Sequence, residues 1–268
     1  MQTAPLLLMA AGASAALTAE AGGALTVLGG ALARTQARGS ARGWEQVRGA
    51  WVRLPPARPW ACLHFVGGAA LGAYPQICYD RLLTSVCDRA GVAVVATPYD
   101  VGPDHARLSS RVFAEYADAR DALLEAEGLP PSVGERTYRL GHSLGAKLLA
   151  IGASAEKSPS AEPLGVLAYN NFALKDSVSL ATSVAQQLGG NTDPAISSLV
   201  DGALKFATQL GEAQGLPIEF TPSPAELASA ITANFAPDEI AIWRFEPDNL
   251  DSSDALLEVV LFLCCGCR

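Results

Sequence analysis

The run Gly141-His-Ser-Leu-Gly145 contains the residues best suited to nucleophilic chemistry. The short stretch from Arg136 to Leu140 predicts a buried strand, and the pattern from Ala146 to Ala153 predicts a helix. A G-x-S-x-G sequence between a strand and a helix is typical of a nucleophile elbow, where the turn is too tight for side chains on either side of the serine. Ser143 is therefore predicted to present its hydroxyl above the sheet, near a helix N-terminus that favours negative charge. The alternative is a Gly-Ser loop without a catalytic role.

A serine hydroxyl needs a base and an oxyanion site before it reacts at neutral pH. The backbone N–H of Leu144 is one candidate oxyanion donor. A second N–H is expected from the loop around Gly67 and Gly68, which follows the apolar strand Ala61 to Val66. The two glycines could equally form a tight strand exit that binds nothing.

The acid of a triad on this fold should follow a late strand. The stretch Glu239 to Phe245 predicts such a strand, and Asp248 follows it directly. Asp251 is the alternative acid. Both aspartates could instead serve a turn or cap a helix that starts near Asp251.

The base is unknown, because the triad histidine should follow the acid and no histidine occurs after His142. His105 is a weak candidate, since its polar loop could face the pocket, although a surface role is the stronger interpretation. His64 is expected to be structural, and the ring of His142 to point away from the serine hydroxyl or to line the pocket. Since the stretch 256–268 also carries no histidine, the C-terminus is interpreted as truncated or alternatively ended.

Asn170 and Asn171 follow the strand Leu164 to Ala168, at the sheet edge where ligands bind in such folds. Their side chains could bind a polar substrate group or only cap the strand exit. Residues 176–215 carry no strand signal and predict two helices in the position of a lid insertion.

Elements from Trp44 onwards alternate between strand and helix, which predicts an α/β fold with a mostly parallel, doubly wound sheet. Together with the elbow this pattern indicates an α/β-hydrolase-like domain over residues 44–268. The remaining predicted elements are an early strand Glu45 to Leu54, a helix Tyr74 to Ala90, a strand Gly91 to Thr97, a helix Leu108 to Glu127 and a helix Pro222 to Phe235.

Net charge and cysteine content argue against some classes of partner and cofactor. The net charge is -8 and the globular part has no run of lysine and arginine, which argues against nucleic acid as a partner. Of the six cysteines, Cys62, Cys78 and Cys87 fall in predicted strands or helices, so buried reduced thiols are expected rather than a metal site or disulfides. We predict no metal and no cofactor.

Residues 1–43 are predicted to be a targeting-like or disordered extension. Residues 1–33 carry only one charged group, Glu20, and arginines follow among Gly, Ser and Thr. Low acidity with Arg and Ser is typical of organelle transit peptides. A membrane anchor is the weaker alternative, because Glu20 and two glycines interrupt the apolar run.

Specific motifs over residues 44–254 resemble a family of α/β-hydrolase-like proteins of photosynthetic organisms, domain of unknown function 1350. The matching segments are Trp51-Val-Arg-Leu-Pro55, His64-Phe-Val-Gly-Gly-Ala-Ala-Leu-Gly-Ala-Tyr-Pro-Gln76 with Tyr79, Ala96-Thr-Pro-Tyr99, Asp104-His105, Gly141-His-Ser-Leu-Gly145, Asn170-Asn171, Glu219-Phe-Thr-Pro-Ser-Pro224, and Phe245 with Asp248 and Asp251. The resemblance implies the fold and a plastid location rather than a particular reaction.

Two functions follow from these residues. The first is a serine hydrolase that acts on an ester or acyl lipid through an acyl-enzyme at Ser143. Its lid would form an apolar acyl pocket, and peripheral membrane association is conceivable. The second is a non-catalytic binding or assembly protein that retains the fold but lacks a triad histidine.

Overall fold

Seven strands form one sheet in the order β1-β2-β4-β3-β5-β6-β7. The computed structural model describes residues 43–69, 71–155, 162–174, 176–177, 219–235, 240–245 and 251–265, with side chains up to residue 259 in the last range. The predictions for residues 1–42, for most of the lid 176–215 and for Asp248 lie outside these residues.

Five strands run parallel and form the centre and one side of the sheet. These are β3 Cys62–Val66, β4 Ala93–Ala96, β5 Thr137–His142, β6 Leu164–Leu167 and β7 Ile240–Trp243. Their short, continuous apolar runs are those expected of strands buried on both faces. β5 pairs with β3 on one side and β6 on the other, so the strand that carries the elbow is central.

The first two strands form an antiparallel hairpin rather than the single strand predicted over Glu45 to Leu54. β1 is Glu45–Val47 and β2 is Ala50–Arg53, which continues the sheet against β4. Arg48 and Gly49 connect them with φ values of 50° and 93°. Two positive φ angles are what a two-residue hairpin turn requires, although Arg-Gly is an uncommon signal for it.

Seven helices are described. They are α1 Pro75–Cys78, α2 Asp80–Ala90, α3 His105–Ala126, α4 Pro131–Glu135, α5 Leu144–Ala155, α6 Pro224–Asn234 and α7 Ser253–Cys265. The predicted helix Tyr74 to Ala90 is divided at Tyr79, whose side chain is bonded into the site described below. α6 begins with a capping box formed by Ser223 and Glu226, which confirms the predicted cap.

Side chains of the inner strands alternate between two apolar clusters. Leu63 and Phe65 of β3 pack with Leu83 and Cys87 of α2. Cys62 of the same strand belongs to the cluster that includes α3 on the opposite face. The sheet is thus covered by helices on both faces, which confirms the predicted doubly wound architecture.

Two further findings concern the whole of the described chain. Cys62, Cys78 and Cys87 are buried free thiols, as predicted. Within the ranges given above, no helix has the length and apolar character needed to cross a membrane.

Candidate active site

Ser143 lies at the end of the central strand β5 in a left-handed backbone conformation, with φ of 52°. Its N–H donates to the Leu167 carbonyl of β6 at 3.0 Å, and its carbonyl accepts from Lys147 N–H at 3.2 Å. A positive φ is uncommon for a residue with a side chain and requires support from its surroundings. These bonds supply that support, so the backbone has the geometry predicted for an elbow.

Two glycines make this turn sterically feasible. A Cβ on Gly145 would lie 2.2 Å from the Val66 carbonyl oxygen and 2.3 Å from that of Gly67. A Cβ on Gly141 would lie 2.5 Å from the Ala146 Cα. Both contacts are with backbone atoms that cannot move aside, so each position excludes any other residue.

The N-terminus of α5 follows Ser143 directly, at the position where the sequence predicts an oxyanion donor. Leu144 is the first residue of α5, so its N–H has no acceptor within the helix. The N–H of Gly68, by contrast, donates to the Tyr79 hydroxyl at 2.8 Å. This differs from the prediction that Gly68 offers a free donor. Gly68 still allows close approach, because a Cβ there would lie 3.3 Å from the Ser143 Cβ.

Tyr79 connects the glycine loop to the elbow histidine. Its hydroxyl accepts from Gly68 N–H and lies 2.8 Å from His142 Nδ1. The direction of the bond between the Tyr79 hydroxyl and Nδ1 depends on the tautomer of the His142 ring. Burial lowers the pKa of His142 to about 4, which keeps the ring neutral. The ring is therefore held by Tyr79 rather than by Ser143.

A second tyrosine fixes the same loop from the other side. The Tyr99 hydroxyl donates to the Gly67 carbonyl at 2.9 Å, and Gly72 N–H donates to the Gly68 carbonyl at 2.6 Å. Tyr99 is buried. The loop beside Ser143 is therefore rigid, as a preorganised oxyanion site needs to be.

None of the three histidines of the chain, all of which lie in the described ranges, is hydrogen-bonded to Ser143. His64 Nε2 lies 3.0 Å from the Thr97 hydroxyl, and its ring stacks on Tyr116 at 4.3 Å, which is the structural role expected. His105 is only 1% exposed, so the prediction of a surface position is wrong. It is buried because its ring stacks on Phe220 with centroids 4.0 Å apart.

Of the two candidate acids, Asp248 and Asp251, neither is seen paired with a histidine among the residues described here. Asp248 lies outside them. Asp251 accepts from Ser253 N–H at 2.7 Å and from Phe245 N–H at 3.3 Å. Its carboxylate thus caps α7 and holds the end of β7, which confirms the capping alternative.

Asn170 and Asn171 lie at the end of β6, as predicted. The Asn170 side chain accepts from Phe172 N–H at 3.2 Å, and Asn171 Nδ2 donates to the Pro224 carbonyl at 3.1 Å. The second bond joins this strand exit to the start of α6. Both amides therefore shape the site wall, while their contact with substrate stays a prediction.

Family comparison agrees with these observations. A family model described as a protein of unknown function, DUF1350, matches residues 43–263. The chain belongs to the DUF1350 family. The mostly parallel sheet, the helices on both faces and the turn at Ser143 confirm that this family member has an α/β-hydrolase-like fold.

Solved structures with a similar fold include several hydrolases. The Francisella virulence factor BioJ is 11% identical, with a TM-score of 0.44 and coverage of 80% of both chains. A monoglyceride lipase from Saccharomyces cerevisiae is 13% identical, with a TM-score of 0.45 and coverage of 81% of this chain and 80% of the lipase. A bacterial esterase of the hormone-sensitive lipase family is 17% identical, with a TM-score of 0.43 and coverage of 98% of each chain. No curated protein matches the sequence.

Sequence analysis overlooked three residues of the DUF1350 site. Tyr79 and Tyr99 belong to the segments that carry the family resemblance, but nothing in their spacing indicated that they support the glycine loop. Lys147 is the only charged residue of the otherwise apolar helix α5. A helix that is apolar on all sides is usually buried. A lysine in such a helix is therefore expected to be buried as well, and this pattern could have indicated Lys147 as a site residue.

Proposed function

We propose that this DUF1350 protein is a serine ester hydrolase that forms an acyl-enzyme at Ser143. The observation that supports the proposal is the left-handed backbone of Ser143 at the end of the central strand. This conformation is costly for serine, and such strain is concentrated at functional sites. It also places the hydroxyl beside the N-terminus of α5, which favours a developing oxyanion.

The reaction has two stages. Ser143 Oγ loses its proton and bonds to the ester carbonyl carbon, and the carbon–oxygen bond to the alcohol then breaks as the alcohol takes up a proton. The oxygen of water then bonds to the acyl carbon as the bond to Ser143 Oγ breaks, and a proton from that water restores the Ser143 hydroxyl as the acid leaves. Leu144 N–H would bind the carbonyl oxygen in both stages. The hydroxyl proton needs an acceptor other than the three histidines in their present bonds.

A non-catalytic binding or assembly protein is the second candidate. The specific observation in its favour is that the three histidines contact residues other than Ser143. His64 is hydrogen-bonded to Thr97, His105 stacks on Phe220, and His142 is hydrogen-bonded to Tyr79. Loss of a triad member lowers the rate of such enzymes by several orders of magnitude. The same fold would then serve to bind a ligand at the mouth of the site.

An acyl lipid or other hydrophobic small molecule is the proposed ligand in either case. Apolar residues within 176–215, among them Leu180, Leu199 and Phe206, would line the acyl pocket of the proposed lid. Peripheral membrane association and a plastid location are further proposals. The first rests on an acyl-lipid substrate, and the second on the family resemblance and on the composition of residues 1–43.

A fluorophosphonate probe separates the two functions, because it labels a serine only when that serine is activated. Labelling that disappears in Ser143→Ala and persists in Ser110→Ala supports the hydrolase. Ser110 is a matched control, since it is exposed on α3 and its hydroxyl donates to Ala106 within the helix. A folded protein that takes up no label supports the binding protein instead.

A further inference from the structure

Lys147 is a buried cation that has no hydrogen-bond partner among the described residues. The residue is 1% exposed, and its Nζ makes no hydrogen bond within the described part of the chain. A buried ammonium is costly unless it is paired and hydrogen-bonded. A lysine in this state indicates that something else supplies the missing anion.

The surroundings of Nζ contain polar groups that do not satisfy it. Nζ lies 5.0 Å from the centroid of the Phe220 ring, on which His105 also stacks. Both ring nitrogens of His105 also lack a hydrogen-bond partner among the residues described. The nearby carboxylate of Glu219 instead accepts from Leu174 N–H at 2.7 Å and from Phe220 N–H at 2.8 Å. Lys147 Nζ and the two ring nitrogens of His105 thus lie beside the same Phe220 ring without a hydrogen-bond partner among the described residues, which leaves them available to a ligand.

These groups lie at the edge of the sheet that carries Ser143. His105 is the first residue of α3, which follows β4, and Lys147 lies one turn into α5, which follows β5. The chain segment of Phe220 is joined to the start of α3, since Ala106 N–H donates to the Thr221 carbonyl at 2.7 Å. Ser143 directly precedes α5, and its carbonyl accepts from Lys147 N–H at 3.2 Å, so the two residues are neighbours across the first turn of the helix. The carboxyl edge of a parallel sheet is also where such folds bind ligands.

We propose that Lys147 and His105 form a binding site for a carboxylate group of a small ligand beside Ser143. A single carboxylate would neutralise the single ammonium, whereas a phosphate dianion would leave excess negative charge in a buried site. Neutral His105 has one ring N–H that can donate to the second carboxylate oxygen. Burial, helped by the charge of Lys147, holds the pKa of His105 at about 3, which is consistent with a neutral ring.

The site defines a substrate class. If the chain is a hydrolase as proposed above, its substrate is an ester that also bears a free carboxylate, such as the half-ester of a dicarboxylic acid. The reaction rests on that proposed function, but the binding of the carboxylate does not. Binding is therefore tested in the Ser143→Ala protein, where catalysis cannot contribute.

Calorimetric titration with monomethyl adipate tests the proposal. We expect binding by the Ser143→Ala protein, and an affinity at least about tenfold lower when Lys147→Met is added, because a charge-assisted hydrogen bond is lost. Dimethyl adipate, which has no carboxylate, should bind weakly to both proteins. Hexanoate, which has one carboxylate but no ester, measures how much of the affinity the carboxylate alone provides, and inorganic phosphate tests the dianion. Arg107→Met, which removes an exposed positive charge from α3, should change the affinity less than about twofold.

A second measurement does not depend on the folding of a variant. Burial lowers the pKa of Lys147 to about 8, with the carboxylate of Glu219 acting in the opposite direction. A bound carboxylate would restore the charged form, so binding at pH 8.5 should take up a fraction of a proton, seen as a heat that depends on the buffer. Glu219 and His105 are the other titratable groups beside Lys147, and His105 is neutral at this pH. Any one of five results would overturn the proposal. Three concern relative affinity: equal affinity for the diester, tighter binding of phosphate, or an unchanged affinity in Lys147→Met. The other two are the absence of binding and binding without proton uptake.

Discussion

Replacing Lys147 with methionine should stabilise the free protein. The pKa of Lys147 is about 8 in the folded chain, against an ordinary value of 10.5, and desolvation is the main cause. At about 1.36 kcal/mol per pKa unit, the difference amounts to about 3 kcal/mol of unfavourable free energy when the lysine is charged. Methionine has a similar length and is apolar, so it removes this penalty and keeps most of the packing. Replacement of buried charges by apolar residues of similar volume has gained about 1–4 kcal/mol in other proteins.

The depressed pKa of Lys147 also determines how the stability of the protein changes with pH. Since the folded pKa is depressed, the unfolded chain binds more protons than the folded chain between about pH 8 and pH 10.5. The stability of the unsubstituted protein should therefore rise with pH across this window, while the full penalty is present below it. The gain from Lys147→Met should be about 3 kcal/mol at pH 7 and should shrink as the pH approaches 10.5.

Urea unfolding at pH 7, 9 and 10.5, monitored by circular dichroism, measures the gain. Arg107→Met is the matched control, because it removes an exposed positive charge and should change the free energy of unfolding by less than about 0.5 kcal/mol. A Lys147→Met protein that is less stable at pH 7, or whose gain is the same at all three pH values, would refute the argument. Either result would mean that the ammonium is compensated inside the folded chain.

Three further predictions concern the elbow and its supports. Gly145→Val should prevent native folding or displace Ser143, because its side chain would clash with the backbone at Val66 and Gly67. Circular dichroism measures the fold, and probe labelling measures the reactivity of Ser143. A variant that folds normally and is still labelled would contradict the elbow assignment. Tyr79→Phe should lower the free energy of unfolding by about 1–3 kcal/mol, because Gly68 N–H loses its buried acceptor; an unchanged urea midpoint would contradict this. Deleting residues 1–43 should leave the melting temperature nearly unchanged, because they precede the family motifs, and a large decrease would show that they stabilise the domain.

Much of the fold was predictable because its signals are local. The strands around Phe65, Val95 and Leu140 are short apolar runs, and burial on both faces makes such runs conspicuous. The elbow was predictable because steric exclusion at Gly145 leaves one residue type. The hairpin at Arg48 was not, since a two-residue turn of Arg-Gly resembles a continuous strand in its pattern of side chains.

The environment of the site residues was less predictable because distant segments determine it. His105 occupies a polar loop in the sequence, but Phe220 covers its ring and makes it one of the most buried residues. Tyr79 likewise lies within a helical pattern, and only the folded chain brings its hydroxyl to Gly68 and His142. Local sequence indicates which residues can react, whereas contacts between distant segments set their charge and their partners.

The Tyr79 network also restricts how the site can stabilise an oxyanion. For Gly68 N–H to bind a carbonyl oxygen, it would have to leave the Tyr79 hydroxyl, and that hydroxyl would then keep only its bond to His142. Giving up a buried hydrogen bond would offset much of what the new bond gains. Leu144 N–H needs no such exchange, because no helical carbonyl competes for it. If Ser143 is the nucleophile as proposed, the loop at Gly67 and Gly68 would mainly admit the substrate close to Ser143, and the first turn of α5 would be the part of the site best placed to bind negative charge.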